Sequence, residues 1–209
     1  MFVCARILLA TLALAVAGAA APLAAQEPTG PSPAQPSPAQ PSPVPRARPA
    51  APGLDRLFEA LKAAPDDAAA KAVEGRIWAQ WLAYPSDTAA LLMDRARIAI
   101  EAKDADLAGR LLTTVIEIRP DFTEAWNRRA TLRYMGKDYG GALSDLREVL
   151  AREPRHFAAL MGLGLILQEL GDDRRALEAY RRAVAVYPRL PNVAERIREL
   201  TEKVEGRDI

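Results

Sequence analysis

Thiols are almost missing from this chain of 209 residues, whose single cysteine, Cys4, stands within the first few positions. A product that loses its leader has neither a disulfide nor a thiol nucleophile, a composition that an oxidising compartment tolerates but does not require. Cys4 also precedes the apolar stretch of the leader, the wrong side for a lipid-modified cysteine at a cleavage site. Histidine is equally scarce: His156 stands alone, with no serine, thiol or carboxylate dyad placed with it for catalysis. One histidine, no further cysteine and no carboxylate cluster at ligand spacing give no reason to expect a metal, and no cofactor is implied. An excess of one charge is missing too. Of the 28 Lys and Arg and 27 Asp and Glu, only Arg6, Arg46, Arg48 and Glu27 precede Leu54, which leaves 25 basic and 26 acidic side chains beyond it. Such balance argues against nucleic acid held by counterion release.

Long apolar runs are confined to the start. Arg6 supplies a positive region, Ile7 to Ala21 an apolar run, and Leu23, Ala24 and Ala25 a small-residue exit, the pattern of a secretory signal over residues 1–25. An uncleaved anchor is the competing reading, weakened by the alanine content and by Gly18 and Pro22. The expected location is therefore periplasmic or secreted, with no membrane span once the signal is removed. Residues 26–53 repeat a Pro-Ser-Pro-Ala-Gln unit at Pro31 to Gln35 and Pro36 to Gln40. Proline fixes φ and removes donors, so this segment reads as an extended polyproline spacer. Its length allows a reach of about 85 Å.

From Leu54 onward helical spacing prevails. Residues 54–84 read as a degenerate amino-terminal pair, with Leu54, Leu57, Phe58 and Leu61 on one face and Val73, Ile77, Trp81 and Leu82 on another. A fixed stride of 34 follows. Alanine recurs at Ala108, Ala142 and Ala176, proline at Pro120, Pro154 and Pro188, a small residue at Ala96, Ala130 and Gly164, and a bulky apolar one at Leu92, Trp126 and Leu160. Small positions let paired helices approach, large ones fill the space between neighbours, and proline ends each second helix. Repeats at 89–122, 123–156 and 157–190 result, with a closing helix at 191–205 carrying Val193, Ile197, Leu200 and Val204. Gly136 and Gly171 fall in inter-helix turns, where positive φ is expected of them.

This set of positions at a 34-residue period resembles the tetratricopeptide repeat (TPR), of the exported bacterial type. The resemblance implies an all-α, right-handed solenoid of helix-turn-helix repeats with terminal capping helices. Arg129 and Arg133 depart from it, since they stand where the family usually has apolar residues. Each must either reach a carboxylate, with Asp145, Glu148 and Asp94 or Glu101 as the candidates, or lie with its stem packed and its head in water.

By the same resemblance the first helices line a concave groove. Its exposed positions map to Ala90, Met93, Arg97, Ile100 and Glu101, then Glu124, Asn127, Thr131, Tyr134 and Met135, then Ala158, Met161, Leu165, Gln168 and Glu169. Met93, Tyr134, Met135, Met161 and Leu165 suit apolar side chains of an extended peptide, and Arg97 and Asn127 its backbone or an acid group. Asn127 and Arg128 fall near the arrangement by which some TPR domains hold a terminal carboxylate, but Met93 and Thr131 depart from it, so that recognition is not expected. The candidate groove residues are Met93, Arg97, Asn127, Arg128, Thr131, Tyr134, Met161, Leu165 and Gln168. The methionines and leucines among them equally suit packing between first helices. The function expected is a non-catalytic scaffold binding a peptide or helix of an envelope protein. The alternatives are a self-associating structural protein and an accessory or chaperone subunit of an envelope assembly.

Overall fold

Local signals repeat along the chain as regularly as the packing residues do. In the computed structural model, which describes residues 52–206, the turn between the two helices of each repeat closes in the same way. Lys103, Lys137 and Gly171 have φ of 60°, 61° and 77°. One residue later Asp104, Asp138 and Asp172 cap the second helix, accepting hydrogen bonds from the backbone N–H groups of Leu107, Gly141 and Arg175. The next-door bonds from Asp104 N to Ala99 O, Asp138 N to Arg133 O and Asp172 N to Leu167 O satisfy orphan carbonyls of the first helix. Gly136 itself has φ of −81°, so the left-handed position expected there belongs to Lys137. The reason is register: Gly136 stands one place earlier in its repeat than Gly171 does.

The described residues form helices only. They are α1 (Pro52–Lys62), α2 (Asp67–Trp81), α3 (Asp87–Glu101), α4 (Ala105–Ile118), α5 (Thr123–Met135), α6 (Tyr139–Arg152), α7 (Phe157–Glu169), α8 (Asp173–Val186) and α9 (Val193–Glu205). Residues 1–51, where the leader and nearly all of the proline-rich segment fall, lie outside the described residues, as do residues 207–209. Helices α3 to α8 are three antiparallel pairs stacked as an all-α solenoid, and α9 covers the last pair. Ala108, Ala142 and Ala176 are fully buried, as are Ala96 and Leu112. Gly164 is required by its neighbour: a Cβ there would stand 2.6 Å from Cδ1 and 2.7 Å from Cζ of the buried Tyr180 ring. Val193 and Leu200 of α9 are buried against α8, while Glu195, Arg198 and Glu199 face solvent.

The two arginines of the middle repeat share one carboxylate. Asp145, 1% exposed, accepts two bonds from Arg129 (2.8 and 2.9 Å) and one from Arg133 (2.9 Å). Arg129 also donates to Thr113 Oγ1 at 2.9 Å, and Arg133 to the Gly141 carbonyl at 3.1 Å. Of the other candidate partners, Glu148 pairs with Arg152, and Asp94 and Glu101 pair with Arg97.

The amino-terminal hairpin takes a seat that periodicity does not disclose. The apolar face of α1 and α2, with Leu57, Phe58, Leu61, Ile77 and Trp81, is buried together with Phe157 and Tyr187 of the later repeats. The core formed by α3, α4 and α5 contains no residue of either helix. From α2 to Pro85 the chain instead crosses the junction after the third repeat and then the two junctions between repeats, in reverse order. Asp67 pairs with Arg189 (2.9 Å), Glu74 accepts from the Tyr187 hydroxyl (3.3 Å), Trp81 stacks on His156 (4.0 Å between centroids), and the Pro85 carbonyl accepts from Arg119 (2.8 Å). Arg155 joins the seat from the side, pairing with Asp55 at 2.7 Å and covering the Phe58 ring at 4.2 Å. Several of these residues follow the stride of 34: Arg155 precedes Arg189, and Phe122, which meets the Tyr84 ring at 5.8 Å, precedes His156. A ladder of junctions thus offers a straight helix one evenly spaced line of anchors.

Candidate binding groove

The groove is built where α5 and α7, first helices of successive repeats, run side by side and α2 walls one end. Between them lies a cavity of about 410 Å³. Asn127, Ala130, Thr131, Tyr134 and Met135 line it from α5, and Ala158, Met161, Gly162 and Leu165 from α7. Glu74 and Trp78 of α2, together with Leu190, complete the wall. Gly162 leaves open floor here, because the nearest atoms a Cβ would meet are the Leu146 methyls at 3.7 and 3.8 Å.

Five of the nine residues proposed from sequence meet in this cavity: Asn127, Thr131, Tyr134, Met161 and Leu165. The other four do not line it. Met93 is fully buried in the core of α3, α4 and α5, so it packs helices and faces no ligand. Arg97 is exposed on α3 and engaged within its own helix by Asp94 (2.8 Å) and Glu101 (2.7 Å). Arg128 is half-buried elsewhere on α5. The Gln168 side-chain carbonyl accepts from the Tyr180 hydroxyl and from Arg196, which ties it to the α8–α9 side. Glu124 was expected to face the groove and is instead 1% exposed.

Glu124 is the centre of a buried polar chain beneath the groove. The backbone N–H of Ala159 donates to His156 Nδ1 at 3.1 Å, which caps α7 and leaves the ring proton on Nε2. Nε2 lies 2.7 Å from Glu124 Oε1 and donates to it, and Asn127 Nδ2 donates to Oε2 at 3.3 Å. Both ring nitrogens are therefore committed to structure. The imidazole is stacked 7° from parallel on Trp81 and stands edge-on to Trp78 at 5.9 Å. This chain fixes the start of α5, the start of α7 and the strap α2 against one another.

Glu74 is the one charged side chain lining the cavity, and it is engaged. Its carboxylate accepts from Trp78 Nε1 (3.1 Å) and the Tyr187 hydroxyl (3.3 Å) and pairs with Lys71 (3.0 Å). Burial, reinforced by the Glu74 charge, pushes the Tyr187 phenol up to about 12, and burial does the same for Tyr180. Both hydroxyls are held as neutral donors. Sequence reasoning missed Glu74 and Trp78 as wall residues. The signal was present only in combination, as an aromatic-rich amphipathic helix beside a ladder of junction residues. Among the described residues no helix is long and apolar enough to cross a membrane.

Known proteins share the repeat fold. A tetratricopeptide-repeat family model matches residues 134–195. A TPR repeat-containing protein of Rhizobium etli is 38% identical over 153 residues, which cover 73% of this chain and 75% of that protein. Among solved structures, the first TPR of Spaghetti (RPAP3) bound to the HSP90 peptide SRMEEVD superposes with a TM-score of 0.55 at 18% identity, over 59% of this chain and 98% of that one. MamA superposes at 0.54 and 17% identity, over 74% of this chain and 78% of that one. The TPR2B domain of yeast Sti1 in complex with an Hsp70 peptide gives 0.52 and 14%, over 56% and 99%. A relative this similar over three quarters of its length, together with the 34-residue ladder and its helix pairs, settles descent: the chain belongs to the tetratricopeptide-repeat family.

Proposed function

We propose that this protein is an interaction scaffold without chemistry of its own, and that it holds an apolar segment of another protein in the cavity between α5, α7 and α2. The observation that carries this reading is the lining. Thr131, Tyr134, Met161 and Leu165 offer a half-open, mainly apolar surface with a methionine that adapts to shape, and the sole charge, Glu74, is already neutralised. Peptide binding by structural neighbours supports the use of such a groove. The segment SRMEEVD bound by one of them is acidic, and no cation lines this cavity to receive such an end. The favoured ligand is accordingly an internal apolar stretch or an amphipathic helix, recognised by its side chains. Export is part of the same proposal: the signal-like leader and proline spacer support a partner that is itself a cell-envelope protein.

The test is affinity capture from cell-envelope extract with the full chain, beside a variant carrying Met161→Arg and Leu165→Arg. Both positions are half-buried at the groove surface and Met161 also packs on the core of α7, α8 and α9, so unchanged circular dichroism of the variant is the folding control. The expected result is one discrete protein that the variant loses. Capture that survives the substitutions overturns the groove as the binding site.

A further inference from the structure

Every solenoid has two ends, and among the described residues this one is finished at only one of them. Helix α9 closes the carboxyl-terminal end with a charged outer face. At the other end, α3 shows solvent a face that the later repeats bury. Leu91 and Ile98 are 54% and 51% exposed. One repeat on, Ala125 is fully buried against Leu112, Val115 and Ile116 of the preceding second helix, and Leu132 packs on the same cluster. One repeat further, Ala159 is fully buried and Ile166 is 1% exposed. The positions of Leu91 and Ile98 are thus where a preceding second helix lies, and the helix that precedes α3 in the chain, α2, is committed to the junctions. Tyr84, Leu107 and Ile118 are also exposed, so five of the seven large exposed hydrophobic side chains among the described residues belong to this first repeat and its approach. That concentration is what marks an interaction surface.

The chemistry of the face selects its occupant. Leu91, Asp94, Arg95 and Ile98 are spaced at i, i+3, i+4 and i+7, so they form one stripe, and all four are exposed. The stripe complements itself. Two antiparallel copies of α3, related by a two-fold axis between Asp94 and Arg95, set each Leu91 against the partner's Ile98 and each Asp94, which holds Arg97 of its own helix through Oδ1, against the partner's Arg95. A leucine where the later repeats keep alanine also favours a partner other than the closely approaching second helix of an ordinary repeat. We propose that this face is a two-fold interface between copies of the chain, which leaves the groove of each copy free. The charged cover of α9 excludes head-to-tail stacking, so the assembly stops at a dimer.

Sedimentation velocity of the full-length chain over a range of concentrations tests this, with unchanged circular dichroism as the folding control for each variant. The expected result is a reversible dimer. Leu91→Asp with Ile98→Asp raises its dissociation constant at least about a hundredfold. Arg95→Asp alone, which opposes two carboxylates across the axis, weakens the dimer about tenfold, and adding Asp94→Arg restores it. A monomer at all concentrations up to roughly 0.1 mM overturns the proposal, and so does a dimer indifferent to Leu91 and Ile98. Failure of the double charge swap to rescue overturns the antiparallel register.

Discussion

Replacing Trp81 with alanine should detach the amino-terminal hairpin while the repeats stay folded. The side chain is 8% exposed, stacks on His156 at 4.0 Å and touches Phe58 and Phe157 at ring separations of 6.0 and 5.1 Å. An indole of this kind buries on the order of 200 Å², or about 5 kcal/mol at 25 cal/mol per Å², and truncations of buried tryptophan cost ~3–5 kcal/mol. The hairpin's remaining anchors are the apolar contacts of Leu57, Phe58, Leu61 and Ile77 with Phe157 and Tyr187, and exposed ion pairs, Asp67 with Arg189 and Asp55 with Arg155, worth roughly 0–1 kcal/mol each. Removing the ring takes out the centre of that seat, so the free energy of opening the hairpin falls by about the cost of the truncation. Because the hairpin is not part of the α3–α4–α5 core, the loss should appear as local opening. Native-state hydrogen exchange reads this directly: amides of α1 and α2 lose protection by two or more orders of magnitude, while those of α5 to α8 keep most of theirs. Trp81→Phe should cost far less, since it retains a ring and removes an Nε1 that has no hydrogen-bond partner. Equal loss of protection in every helix would refute the local picture. A cost below about 1 kcal/mol for Trp81→Ala would refute the stack as the anchor.

Three further expectations concern stability. Lys103→Gly and Lys137→Gly should each stabilise by about 0.5–1 kcal/mol in urea melts, since glycine relieves a left-handed backbone at some cost in chain entropy, and Gly171→Ala should destabilise by a similar amount. Asp145→Ala leaves two guanidinium groups without their shared carboxylate and should cost about 3–5 kcal/mol by denaturant unfolding, with Arg129→Met in the same chain recovering part of it. Tyr180 and Tyr187 have phenols raised to about 12, above the ordinary value of 10. The unfolded chain releases these protons first, so the contribution is complete below pH 10 and falls as pH rises toward 12. Thermal melts of the Tyr187→Phe variant should lose part of that alkaline slope.

The repeats were readable because their determinants are local and recur: a proline ends each second helix, and a small residue admits its neighbour. The shared carboxylate of Arg129 and Arg133 was narrowed to a few candidates by the cost of burying charge, and Asp145 is the one among them on the adjacent helix with its side chain turned inward. The seat of α1 and α2 was not readable. An amphipathic stripe such as Leu57, Leu61, Ile77 and Trp81 says that a face is covered and not by what, and its cover comes from residues some hundred positions away. Met93 was misplaced for a related reason. In the first repeat the groove positions were taken by analogy with a full stack, yet the side chain at that position turns into the core, and the cavity forms one repeat later. Thr131, Tyr134, Met161 and Leu165 share one cavity, where periodicity and chemistry agree.

Binding in the groove is tested most directly by placing a photoreactive benzoylphenylalanine at Thr131, in the cavity, or at Arg147, exposed on α6, and irradiating cells that express the full chain. A single cross-linked protein from position 131, absent from position 147, with the adduct mapping to an apolar segment, is the result the structure leads us to expect. Cross-links from 147 alone, or to an acidic carboxyl-terminal tail at 131, would contradict an apolar groove as the place where this protein meets its partner.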